Sequence, residues 1–115
     1  MMKRVADSFL PLAPATLHIL LALAAEDLHG YGIMQEVVRQ SDARYKLGPG
    51  TLYDNLQRLL KQGMVEEVGD LKGSRRRYYR LSSLGRGVLS AEIARLEGVV
   101  REARLHIKPP QTRRA

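Results

Sequence analysis

The 115-residue sequence predicts a mainly α-helical fold with a two-stranded β wing. Apolar residues recur at helical spacing in four segments, and two short β-prone runs lie between the third and the fourth. Glycine or proline marks most of the borders between these segments. The length fits one domain, so we expect the segments to share one core.

The first predicted helix begins at Pro14, which suits the first helical position because its φ angle is preset. Apolar residues occupy nearly every side of the turns between Leu17 and Ala24. A helix this apolar packs between other elements rather than on a surface. We expect the preceding residues, 1–12, to form a flexible N-terminus.

The next two predicted helices are amphipathic. The second follows Gly30, with an apolar face made of Tyr31, Met34, Val37 and Val38. The third begins at Gly48-Pro49 and ends at Gly63, where a left-handed residue is favoured. Its buried face is predicted to contain Leu52, Leu56, Leu59 and Leu60.

The β-prone runs, Met64 to Val68 and Arg75 to Leu81, predict a hairpin because residues 69–74 are rich in turn formers. Alternate side chains of a strand face opposite ways. With Leu81 facing inward, Tyr79 is predicted to lie in the core and Tyr78 to be exposed.

The final helix is predicted to begin after a Ser82 or Ser83 cap and to stop at Pro109-Pro110. Apolar residues recur along it at alternating steps of four and three, which predicts a dimerisation surface made of Leu89, Ile93, Leu96, Val100, Ala103 and Ile107. The end near Leu89 can also pack on the first helix of the same subunit, whereas residues 100–107 extend beyond a small domain and need a partner chain. Charged residues between these positions, Glu92 among them, are expected to be solvated.

The composition favours a polyanionic partner, either nucleic acid or an anionic membrane surface. The chain has 19 Lys and Arg against 12 Asp and Glu, for a net charge of +7. No apolar run approaches the roughly 18 residues of a membrane span, and no signal-peptide pattern is present. The absence of cysteine and the scattered histidines predict neither disulfides nor a metal site. We therefore expect a soluble cytoplasmic protein without a cofactor.

The order helix, helix, helix, hairpin, helix is that of a winged helix-turn-helix followed by a C-terminal dimerisation helix. We assign residues 1–83 to the DNA-binding domain, 84–108 to the dimerisation helix and 109–115 to a basic tail. On the third helix, the predicted DNA-binding residues are Thr51, Tyr53, Asn55, Gln57, Arg58 and Lys61. On the wing, they are Lys72, Arg75, Arg76, Arg77 and Tyr78.

The third helix is expected to enter the major groove. There Arg58 can donate to guanine or phosphate, Gln57 can contact adenine, and Thr51 can help to hold a phosphate. Solvated side chains that merely protect an edge strand are the alternative explanation for the wing cations.

Several runs of residues occur together in a specific order. These are residues 29–33 (HGYGI), residues 47–53 (LGPGTLY), then Leu56, Arg58, Leu59, Gly63 and Val65, and finally residues 76–82 (RRYYRLS) with Gly85. In this order and spacing the chain resembles the PadR family of bacterial transcriptional regulators. The resemblance implies a homodimer held by the terminal helix, an operator with dyad symmetry, and repression relieved by a small aromatic or amphipathic ligand.

The chain departs from the family pattern at Gly48, where members often have serine, and in having no tryptophan for a ligand cavity. We place a candidate effector pocket at Phe9 and His18, near the dimerisation surface. An enzyme is not expected, because the sequence has no Gly-rich phosphate loop, no cysteine nucleophile and no placed acid pair. A non-specific architectural DNA binder and a protein-interaction adaptor are the alternative functions.

Overall fold

The computed structural model of the chain describes residues 2–69 and 76–110. The helices in this part of the chain are α1 (Met2–Asp7), α2 (Pro14–Ala25), α3 (Gly30–Gln40), α4 (Pro49–Lys61) and α5 (Ser83–Arg104). The strands are β1 (Leu28–His29), β2 (Val65–Val68) and β3 (Tyr78–Leu81). This mainly helical fold with a β wing confirms the predicted fold class.

Helix α2 lies at the centre of the molecule. It packs against α3, α4, α5 and β3. Ile19, Leu20 and Leu23 are almost completely buried. The prediction that this helix packs between other elements is confirmed, and it follows from apolar residues on nearly every side of the helix.

Helices α3 and α4 form the helix-turn-helix. His29 is the N-cap of α3, and its Nδ1 accepts a hydrogen bond of 3.0 Å from the Gly32 backbone N–H. Helix α4 follows Gly48, which offers no side-chain cap, and buries Leu52, Leu56 and Leu59. Gly63 has a φ angle of 78°, the left-handed conformation predicted for the residue that ends this helix.

In the described part of the chain, the two predicted wing strands form a three-stranded sheet together with β1. Its order is β1-β3-β2, and both neighbouring pairs are antiparallel. The additional strand pairs Leu28 with Tyr79 and His29 with Tyr78. Two residues are too few to show an alternating pattern, so the strand becomes visible only through its partner. Tyr79 is buried as predicted, whereas Tyr78, which was predicted to be exposed, is half-buried.

Helix α5 begins at a Ser82 cap, whose hydroxyl accepts from the Gly85 N–H. A Cβ at Gly85 would lie 2.0 Å from the Met64 carbonyl oxygen, so glycine is required for this close approach of α5 to the start of β2. Leu89 is only 5% exposed. Its assignment to the dimerisation surface is corrected, because the first turns of α5 pack in the core of the same subunit.

The N-terminal segment also packs on α5. Residues 1–12 were expected to be flexible, but the structure has helix α1 there, with Ala6 buried and α1 in contact with α5. Glu92 is 1% exposed rather than solvated. Its carboxylate accepts from the Leu12 backbone N–H at 2.9 Å and from the Arg95 guanidinium. A buried carboxylate needs such partners, and this one joins the N-terminal segment to α5.

Candidate nucleic-acid interface

The exposed face of α4 is polar. Most of the side chains that the sequence assigns to DNA contact are exposed there, namely Thr51, Tyr53, Gln57, Arg58 and Lys61. Asp54 is exposed among them. The opposite face of α4 is filled by leucines, so the polar face is open to a partner outside the subunit.

Asn55 does not belong to this exposed face, and its prediction as a DNA-contacting residue is corrected. It is 7% exposed, and its Oδ1 accepts from Thr16 Oγ1 at 2.9 Å and from Arg58 Nη2 at 2.6 Å. Its Nδ2 donates to the Thr51 carbonyl oxygen at 2.8 Å. Asn55 therefore joins α4 to α2 and directs Arg58 toward α2. The sequence signal was its spacing, three residues after Leu52, which places it on the buried side of the helix.

A cavity of about 570 Å³ separates α4 from the wing. Gln57, Arg76 and Arg77 are among its lining residues. Tyr53, 45% exposed, also lines it, with its ring against the start of α3. A Cβ at Gly30 would lie 2.2 Å from the Tyr53 hydroxyl oxygen, so a larger residue at position 30 would displace the Tyr53 ring. The cavity brings hydrogen-bonding groups from α4 and cations from the wing to one surface.

His29 faces the same cavity and was not counted among the predicted site residues. Its Nε2 lies 3.0 Å from Arg76 Nη1. Its ring makes an edge contact with the Tyr78 ring, with centroids 5.4 Å apart. The signal in the sequence was its position just before the second predicted helix, but its neighbour Arg76 is 47 residues away along the chain.

The wing cations alternate with carboxylates across the hairpin. Arg77 Nε lies 3.6 Å from a Glu67 oxygen, and Arg80 Nε lies 3.4 Å from a Glu66 oxygen. All four side chains are about half exposed or more, so these ion pairs are weak and can be exchanged for phosphate contacts.

Burial raises the pKa of the Tyr79 phenol, which keeps this core residue neutral. Lys72 and Arg75 lie outside the described residues.

The second half of α5 exposes apolar side chains. We call Ile93, Leu96, Val100, Ala103 and Ile107 the α5 stripe. Ile93, Val100 and Ile107 are 41%, 50% and 70% exposed. Leu96 is half-buried, and a shallow hollow of about 440 Å³ is lined by it together with Ile93 and Val100. This surface is apolar and extends away from the domain.

The two residues of the candidate effector pocket do not share a described cavity. Phe9 lines a cavity of about 260 Å³ with Thr16, Arg58 and others, and His18 is not among its lining residues. The His18 ring instead stacks on the Tyr45 ring, with centroids 4.3 Å apart.

The described residues contain no group of three or more His, Asp or Glu that could hold a metal ion. Among the helices described, none is long and apolar enough to cross a membrane.

Solved structures of regulators share this fold. A transcriptional regulator from Clostridium thermocellum superposes with a TM-score of 0.71 at 24% identity, over 91% of this chain and 96% of that one. Bacillus subtilis PadR, solved in complex with operator DNA, gives a TM-score of 0.61 at 20% identity, over 91% of this chain and 55% of that one.

Sequence similarity identifies the family. The chain is 38% identical over 91 residues to the transcriptional regulator Rv3488 of Mycobacterium tuberculosis. The aligned residues cover 78% of this chain and 82% of that protein. The model of the transcriptional regulator PadR-like family matches residues 19–91. This family and the regulators named above are not enzymes. The chain therefore belongs to the PadR-like family of transcriptional regulators.

Proposed function

We propose that this chain is a sequence-specific transcriptional repressor that binds an operator with dyad symmetry as a homodimer in the cytoplasm. The observation that supports this best is the separation of two surfaces. The polar face of α4 and the wing cations lie around one cavity, whereas the α5 stripe is apolar. The first surface suits a polyanion and the second suits another copy of the chain.

On the DNA surface, α4 is the proposed recognition helix. Gln57 is exposed beside the cavity and is suited to a base edge, because a glutamine amide can bond adenine in two places. Arg76 and Arg77 are assigned to backbone phosphates. Arg58 is hydrogen-bonded to Asn55, so a base contact by Arg58 requires its side chain to leave that partner.

On the dimer surface, the α5 stripe of one subunit would pack on that of its partner. One winged domain reaches a single half-site, and two domains held about 34 to 36 Å apart match a palindrome. The operator-bound structure of Bacillus subtilis PadR, which shares the fold, supports operator binding by this architecture.

Selection of duplexes from a random library, followed by footprinting upstream of the chain's own gene, tests this proposal. We expect an enriched sequence with two inverted half-sites about one helical turn apart, bound at least about 10³-fold more tightly than random DNA. An architectural binder would enrich no sequence, and an adaptor would show only weak, salt-sensitive binding to every duplex. Either result would reject the proposed repressor.

A further inference from the structure

We propose that His29 and Arg76 together bind one phosphate of the DNA backbone, with His29 donating from Nε2. This inference rests on the proposed DNA-binding function and adds a contact from the start of α3, outside both the recognition helix and the wing. It follows from the hydrogen-bonding capacity of the two side chains, from the way the His29 ring is held, and from the surface on which they lie.

The tautomer of the His29 ring follows from its role as the cap of α3. Nδ1 accepts from the Gly32 backbone N–H at 3.0 Å, so Nδ1 carries no proton. The proton of the neutral ring is then on Nε2, 3.0 Å from Arg76 Nη1. A guanidinium has donors only, so these two groups cannot satisfy each other. An acceptor that lies beside both nitrogens can take a hydrogen bond from each, and a negatively charged oxygen suits the adjacent arginine best.

The ring is held in place before any ligand arrives. The cap bond fixes one edge of His29, and Tyr78, its direct partner across β1 and β3, makes an edge contact at 5.4 Å. His29 is half-buried, whereas Arg76 is exposed. A donor that is already oriented loses little conformational freedom on binding.

The surroundings favour a phosphate of DNA over a small free anion. The pair lies on the cavity that Gln57 of α4 and Arg77 of the wing also line, so a duplex seated on α4 would pass its backbone across this position. One carboxylate, Glu67, lines the same cavity, and it lies 3.6 Å from Arg77. Arg77 therefore offsets part of the negative charge that Glu67 brings to this cavity.

His29→Asn separates the two roles of the ring. Asparagine is among the best N-cap residues, so its side-chain oxygen can still accept from Gly32, but the Nε2 donor is lost. We expect unchanged thermal unfolding, about tenfold weaker binding to operator and random DNA alike, and an unchanged salt dependence, because no charge is removed. Arg76→Gln should weaken both duplexes and lower the salt slope by about one unit. Arg86→Gln, which removes an exposed cation on α5 outside the cavity lining, is the matched control and should leave binding to both duplexes nearly unchanged.

A scan in which single DNA phosphates are replaced by neutral methylphosphonates locates the contact. We expect one replacement that weakens binding of the unaltered protein and has little effect on the His29→Asn, Arg76→Gln double variant. If every replacement affects both proteins equally, or if His29→Asn folds and binds normally, the inference is wrong.

Two further measurements keep the inference testable. If His29→Asn fails to fold, nitrogen NMR of the unaltered protein still decides, because a proton on Nδ1 would overturn the assignment. Saturable binding of inorganic phosphate at His29, combined with no sensitive DNA phosphate, would show a free-anion site and would also overturn it. A protein that binds no DNA at all would instead reject the proposed function.

Discussion

Helices α4 and α5 both leave part of their surface uncovered, but the uncovered residues differ in kind. Helix α4 buries its leucines within the subunit and exposes polar and charged side chains along its length. Helix α5 buries its first turns in the same way, around Val88 and Leu89, and then exposes Ile93, Val99 and Val100. The leucines of α4 are buried within the subunit, whereas many apolar side chains in the second half of α5 remain exposed.

This difference indicates what kind of partner each helix suits. A helix with a satisfied apolar face and a polar outer face has no hydrophobic reason to bind another protein, and its hydrogen-bonding groups are available to DNA. A contiguous exposed apolar surface is typical of protein association. The comparison predicts that substitutions in the two helices have separable effects on assembly, folding and DNA affinity.

The largest expected effect comes from Leu96→Glu. In a symmetric dimer this change would place two like charges against each other within the α5 stripe. We expect monomers by light scattering, an unchanged helical signal by circular dichroism, and operator affinity lowered by about 10³-fold or more, toward the non-specific level. Ala94→Glu, an exposed position on the opposite side of α5, is the matched control. A Leu96→Glu protein that stays dimeric would remove the basis of the comparison.

Glu92→Gln is expected to act on folding rather than on assembly. The carboxylate accepts hydrogen bonds from Leu12 and Arg95, and removing the charge should lower the free energy of unfolding by about 1.5 to 3 kcal/mol. Thermal unfolding measures this loss, and the protein should still dimerise. The exposed Glu97 provides the control, as Glu97→Gln on the same helix.

The stability that Glu92 contributes is expected to depend on pH. The hydrogen bond from Arg95, with a smaller contribution from the Leu12 N–H, holds the pKa of Glu92 below its ordinary value of 4.5. Stabilisation by a carboxylate with a lowered pKa is fully present above the ordinary value and is lost as the pH falls through the lowered one. The stability difference between the unaltered protein and Glu92→Gln should therefore shrink below about pH 4.5. A difference that stays constant in acid would contradict the ionised state of Glu92.

The smallest effects are expected on the DNA surface. Gln57→Ala should cost about 1 to 3 kcal/mol on operator and little on random DNA, because it removes a base contact. Arg77→Ala should weaken both duplexes similarly and lower the salt slope by about one unit, because it removes a phosphate contact. Titrations at several salt concentrations measure both. If Arg77→Ala changed base preference and left the slope intact, the division between helix and wing would be wrong.

The sequence predicts the features that depend on local periodicity. The leucine face of α4, the left-handed Gly63, the Ser82 cap and the inward Tyr79 all follow from spacing within one element. These features need no knowledge of what lies across the core.

The features that the sequence does not predict depend on partners distant along the chain. Asn55 is buried and accepts a hydrogen bond from Thr16, which lies 39 residues earlier in the chain. Glu92 is buried and accepts a hydrogen bond from the Leu12 N–H, which lies 80 residues earlier. Strand β1 exists because β3 pairs with it, and Leu89 is internal because α5 packs on α2 at that level. Periodicity alone treats a polar residue as exposed, so a buried one with a satisfying partner is misplaced.

The hydrogen bond between Leu12 and Glu92 also bears on which residues are needed for the chain to fold. Both residues lie outside the segment 19–91 that matches the family, one on each side of it. Helix α1 and the second half of α5 lie outside it as well. A fragment trimmed to the matching segment would lose the Leu12–Glu92 hydrogen bond and the first residues of α2. We therefore expect a stable fragment of this protein to need residues on both sides of the segment that matches the family.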